Sequence, residues 1–70
     1  MLASVTGVVK WYDQDKGYGF ISCNQGKDVY VNHLQIKEKG NDKDLHEGES
    51  VIFYITDGPK GPMAVNVQKL

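Results

Sequence analysis

Apolar residues in this chain recur at every second position over short stretches and never keep helical spacing. That period of two is the signature of β-strands with one buried face. Val5 to Asp13 reads as a first strand. Its run Val5-Thr6-Gly7-Val8-Val9-Lys10-Trp11-Tyr12 does not alternate cleanly, so a bulge or strong bend is expected near Gly7 or Lys10. Lys16-Gly17-Tyr18-Gly19-Phe20-Ile21 and Asp28-Val29-Tyr30-Val31-Asn32 read as the next two strands. The polar turn Asn24-Gln25-Gly26-Lys27 makes them an antiparallel hairpin.

His33-Leu34-Gln35-Ile36 leaves the strand period and suits one helical turn, with Leu34 or Ile36 plugging an open end of the core. Lys37 to Glu47 is polar and charged, the longest loop and the segment expected to move most. In a fourth strand, Glu49 to Thr56, Val51, Phe53 and Ile55 point inward, leaving Ile52 and Tyr54 exposed. Asp57-Gly58-Pro59-Lys60-Gly61-Pro62 is a stiff loop by composition. Met63 to Lys69 completes the set, with Val65 and Val67 in alternation. Five short strands without repeats predict an all-β single domain over residues 1–70, closed into a small barrel because an open sheet of this size leaves edges unprotected.

Face assignment turns this fold prediction into a functional one. The aliphatics Ile21, Val29 and Val31 belong to the core, and Gly19 and Cys23 share their side. Tyr18, Phe20 and Tyr30 then fall on the wet face, beside charged and amide groups. Flat exposed rings on neighbouring strands, with cations near, are what unpaired bases stack on. Gly17 and Gly19 would let a ligand approach the backbone. The bland alternative is a second small core, with the rings covered by another part of the chain, but few residues remain to form that cover. Trp11, just before the turn Asp13-Gln14-Asp15-Lys16-Gly17, could anchor the core; Lys10 beside it favours a partly open ring at the platform edge.

Charge narrows the ligand. Eight lysines, no arginine and nine acids give a formal net charge of -1, which argues against holding duplex phosphates by bulk positive charge. A binder of single strands that relies on stacking remains open. Lys10, Lys16, Lys27 and Lys60 lie in or beside the aromatic segments, whereas Asp42, Asp44, Glu47 and Glu49 cluster elsewhere. One cysteine, Cys23, allows no internal disulfide and suits a reducing compartment. With no charged-then-apolar leader and no apolar run of membrane-spanning length, a soluble cytoplasmic protein without membrane contact is expected.

Catalysis is not expected. Asp28 with His33, or His46 with Glu47, lacks an accompanying nucleophile at a spacing that fixes joint geometry. Cys23, His33 and His46 are isolated, without the paired spacing of zinc sites, so neither metal nor cofactor is expected. A protein-interaction module is the remaining rival: a monomer is expected, but Ile52 and Tyr54 could form a dimer through the fourth strand, with weak nucleic-acid binding.

With these residues in place, the chain resembles the bacterial cold-shock proteins from about Thr6 to Val67. Gly7-x-Val9-Lys10-Trp11-Tyr12 matches that family's opening strand, and Lys16-Gly17-Tyr18-Gly19-Phe20-Ile21 its first RNA-binding motif, with tyrosine for phenylalanine at 18. Asp28-Val29-Tyr30-Val31 matches the start of the second motif. Leu45-x-Glu47-Gly48, Val51-x-Phe53, Gly61-Pro62 and Ala64-x-Asn66-Val67 follow in order. The resemblance implies a five-stranded antiparallel Greek-key barrel of the oligonucleotide-binding (OB) type. It implies binding of single-stranded RNA and DNA, favouring pyrimidine-rich stretches, as an RNA chaperone or a regulator of transcription or translation. Carried over by position, Trp11, Tyr18, Phe20 and Tyr30 would stack bases. Lys10, Lys16 and Lys60 would meet phosphates or base edges, Asp28 would accept a hydrogen bond from a base, and the backbone from Pro59 to Gly61 would close one end of the groove.

The chain departs from the family at three places. Histidine then phenylalanine usually continue the second motif; Asn32 and His33 stand there, one able to hydrogen-bond and the other to stack. Asn41 replaces the usual aromatic after the loop glycine, and the loop holds one extra residue before Leu45. A missing ring at Gly40-Asn41-Asp42, with negative charge from Asp42 and Asp44, is expected to temper affinity.

Overall fold

The computed structural model describes residues 3–23, 26–37 and 44–70. Five strands, β1 (Val5–Asp13), β2 (Tyr18–Cys23), β3 (Asp28–Asn32), β4 (Ser50–Gly58) and β5 (Gly61–Lys69), close into a barrel in the order β1-β2-β3-β5-β4. The pairings β1–β2, β2–β3, β1–β4 and β4–β5 are antiparallel, whereas the closing one, β3–β5, is parallel and rests on Tyr30 opposite Met63. An isolated parallel bridge between Ile36 and Val67 continues that seam. The five-stranded OB-type barrel expected from the sequence is the fold observed.

Alternation carries most of the burial. In β2, Gly19, Ile21 and Cys23 are buried while Tyr18, Phe20 and Ser22 are half-exposed; in β3, Val29 and Val31 are buried. Val9, Val51, Phe53, Ala64 and Val67 complete the side walls, with Ile55 only partly buried against them.

Two bulges break the alternation. In β1–β2, Val9 faces Ile21 but Trp11 faces Phe20, so Lys10 is the extra residue. A second bulge lies in β5: Ile52 pairs Gln68 but Tyr54 pairs Val65. Asn66 there adopts φ 57, the left-handed region that asparagine tolerates better than most residues. The expected Val65–Val67 alternation is therefore corrected. Ala64 and Val67 face the core and Val65 is half-buried, because the extra residue resets the face.

Other expectations change as well. Lys16 and Gly17 belong to the β1–β2 turn, not to β2. The proposed 57–62 loop is mostly ladder: Asp57 pairs Pro62 and Gly58 pairs Gly61, leaving Pro59-Lys60 as a two-residue turn. A 3-10 turn, His33–Gln35, follows β3, its first N–H groups capped by Asn32, whose Oδ1 accepts from Leu34 N–H at 3.0 Å. Ile36 is the plug and Leu34 is not, being 68% exposed. Leu45, assigned to a polar loop, is a second plug at 1% exposure. Ile52 and Tyr54 are half-buried rather than exposed; with Phe53 and Asn66 they line a small cavity. The loop features invoked at Gly40, Asn41 and Asp42, and the turn residues Asn24 and Gln25, lie outside the described residues.

Candidate nucleic-acid interface

The Lys10 bulge creates the site. Residues two apart on a regular strand share a face, so Trp11 would follow Val9 into the core. One inserted residue turns it outward instead, where it is 38% exposed and opposite Phe20. Phe20 in turn stands opposite Tyr30 on β3. The rings form a closed circuit: Trp11–Tyr18 at 5.7 Å, Tyr18–Tyr30 at 5.9 Å, Tyr30–Phe20 at 5.9 Å and Phe20–Trp11 at 5.6 Å between centroids. Interplanar angles run from 32° to 72°, so the rings brace one another by edges and tilted faces. Trp11 is exposed and Tyr18, Phe20 and Tyr30 are half-buried, and no other described segment covers them.

Cations sit at the circuit's margins. Lys60 reaches over the gap between two rings, its Nζ 5.2 Å from the Tyr30 centroid and 5.7 Å from that of Tyr18, within cation–π range. Lys10 Nζ donates to Asp28 Oδ2 at 2.9 Å, both side chains exposed. These two residues, expected to act separately on phosphate and base, are brought together as an ion pair. Lys16 is exposed in a turn where Asp13 Oδ1 accepts the N–H groups of Asp15 and Lys16.

The glycines serve packing rather than ligand approach, which corrects the sequence expectation. A Cβ on Gly19 would lie 2.3 Å from the Trp11 carbonyl oxygen and 2.7 Å from Tyr12 Cα. Gly19 thus lets β1 and β2 close beneath the rings. Gly17 has φ +75, and a Cβ there would meet the His33 ring at 2.6 Å. His33 packs on that turn, donating its backbone N–H to the Gly17 carbonyl at 2.8 Å, and its ring is exposed at the platform edge. Asn32 is the 3-10 cap, and its Nδ2 donates to Tyr30 Oη at 3.4 Å. Tyr12, the inward neighbour of Trp11, has a buried hydroxyl without a hydrogen-bond partner among the described residues. Burial, then the negative charge of Asp44 and the neighbouring Tyr30, push its pKa up, so it stays neutral at pH 7.

One feature escaped the sequence. A cavity of about 330 Å³ beside Tyr30 and Lys60 is lined also by Leu34, Gln35, Pro59 and Met63. Its walls come from the 3-10 turn and the β4–β5 hairpin, which meet only because β3 pairs in parallel with β5. No local pattern signals such a meeting. Among the described residues, no group of three His, Cys, Asp or Glu could hold a metal ion, and no helix is long and apolar enough to cross a membrane.

A closed five-stranded barrel with a circuit of half-exposed rings and marginal cations defines an OB-type nucleic-acid-binding protein. The model of the "'Cold-shock' DNA-binding domain" family matches residues 5–70, and the chain belongs to that family. It is 53% identical over 72 residues to the "Cold shock-like protein CspB" of Yersinia pestis, covering all of both chains. Identity is 49% over 70 residues to the "Cold shock-like protein CspC" of Buchnera aphidicola, covering 99% of this chain and 100% of that one. The "Major cold shock protein" of Streptococcus pyogenes serotype M1 is 45% identical over 64 residues, 91% of this chain and 94% of its own. Binding of nucleic acid, not catalysis, is the activity of the family.

Proposed function

We propose that this chain binds single-stranded RNA and DNA, preferentially pyrimidine-rich, by stacking bases on Trp11, Tyr18, Phe20 and Tyr30. The observation that carries the reading is the ring circuit, held open to solvent by the Lys10 bulge. Lys16 and Lys60 meet phosphates, and Lys10 joins them by exchanging Asp28 for the ligand. Asp28, so released, accepts from a base; Asn32 and His33 extend the contact beyond Tyr30. Such a protein acts as a cytoplasmic monomer that keeps RNA unpaired or regulates transcription or translation. The rival reading, a dimer through β4, loses its motive because Ile52 and Tyr54 are half-buried within the chain's own fold.

Titration with oligothymidine, followed by Trp11 fluorescence, tests the reading. Phe20→Ala, Tyr18→Ala and Tyr30→Ala are each expected to cost about 1–3 kcal/mol of affinity, the worth of a stacked base. Val31→Ala is expected to cost stability instead. A Phe20→Ala protein that unfolds like a core truncation yet keeps its residual binding would refute the platform.

Salt dependence gives an independent check. On this reading at most four lysines (10, 16, 27 and 60) neutralise phosphates, or three if Lys10 keeps its pairing with Asp28. At about 0.7 per charge on a single strand, log K is expected to fall by roughly 2 to 3 per decade of salt. A slope twice as steep would mean that the groove runs over other lysines.

A further inference from the structure

We propose that His33 makes single-strand binding proton-linked: its imidazole takes up a proton from solvent as a backbone phosphate settles beside Gly17, so affinity rises as pH falls. The inference rests on the nucleic-acid-binding reading and deepens it by adding a titrating contact at the platform edge. Two features fix the ring there. The His33 N–H donates to the Gly17 carbonyl at 2.8 Å, and Gly17, at φ +75, leaves open the space where a Cβ would stand 2.6 Å from His33 Cδ2. Cδ2, Cγ and Nε2 are the ring atoms nearest that turn, which leaves Nδ1 and Cε1 on its far side. His33 is exposed, and among the described residues no hydrogen bond or ion pair engages its ring nitrogens.

The charges around the ring set the sign of the effect. The 3-10 turn itself carries no acid in its first turn, and His33 is its basic residue. The β1–β2 turn on which the ring packs brings Asp13, Asp15 and Lys16, and Asp13 Oδ1 already accepts the N–H groups of the other two. Lys37 follows the 3-10 turn, its Nζ donating to the Leu34 carbonyl at 3.4 Å, and Lys60 stands over Tyr18 and Tyr30. Of the side-chain types present, histidine is the one whose charge changes between about pH 5 and 8. No described carboxylate pairs with the ring, so an imidazolium here has no anion of its own until a strand supplies one. A phosphate passing Tyr18 between Lys16 and His33 does so. By linkage, a ligand that favours the protonated ring is bound more tightly once the ring is protonated. The phenylalanine usual at this position in the family offers a ring to stack on but no proton to exchange.

Oligothymidine affinity of the full chain, read by Trp11 quenching from about pH 8 down to about pH 5.5, tests the linkage. Affinity is expected to rise about fivefold over that span, the low end of such couplings. The fall of log K per decade of salt should steepen by about 0.7 at the acid end, the worth of one more phosphate neutralised. His33→Phe is expected to abolish both changes, whereas His46→Gln, which alters the only other histidine, should keep them. His33→Gln repeats the measurement with a polar side chain if His33→Phe does not fold. A pH-independent affinity in the intact protein, or a rise that persists without His33, would overturn the linkage but leave the platform standing. Failure of oligothymidine to bind the intact protein at any pH would overturn the binding reading itself.

Discussion

Phe53→Ala is expected to remove about 3–5 kcal/mol of folding stability, the usual cost of truncating a buried phenylalanine. Phe53 is the largest of the fully buried side chains, and its ring reaches β1, where a Cβ on Gly7 would lie 3.1 Å from Cε1. A chain of this length has about 4–10 kcal/mol in total. With a urea slope of about 1 kcal/mol per molar, the midpoint should fall by about 3 M or more, in places erasing the folded baseline. Oligothymidine at a hundredfold excess over its Kd should restore about 2.7 kcal/mol by mass action. A midpoint shift under about 1 M would mean that the core is not built around this ring.

Leu45→Ala is expected to cost about 2–5 kcal/mol, whereas Leu34→Ala should stay within about 0.5 kcal/mol. The two leucines have the same chemistry and opposite environments, 1% and 68% exposed. For a domain of this size each kcal/mol moves Tm by about 4–8 °C. Leu45→Ala should therefore melt at least about 8 °C lower and Leu34→Ala only a few degrees at most. Similar losses in both would put the wrong residue in the core.

That pair also marks where the sequence could be read and where it could not. The strand faces around Ile21, Val29, Val31, Val51 and Phe53 followed from period two, since a half-buried strand must alternate. So did the outward placement of Tyr18, Phe20 and Tyr30. Leu45 carries no period, for it sits between Asp44 and His46 and owes its burial to an opening that only the closed barrel defines. The Lys10 bulge announced itself by spoiling a pattern. The one at Asn66 did not, because Val65 and Val67 imitate a regular strand that left-handed backbone interrupts. Lys10 and Asp28 stood far apart in sequence, and only the β1–β2–β3 register shows that they meet.

The parallel seam has a consequence for how ligand and fold depend on each other. Tyr30 and Met63 form the pair that joins β3 to β5, and both line the cavity beside the ring platform. A barrel breathes where its ladder is shortest. Here that place lies directly beneath the surface offered to a nucleic-acid strand. On the proposed stacking reading, a strand crossing it would touch both lips and act as a clasp on that short ladder.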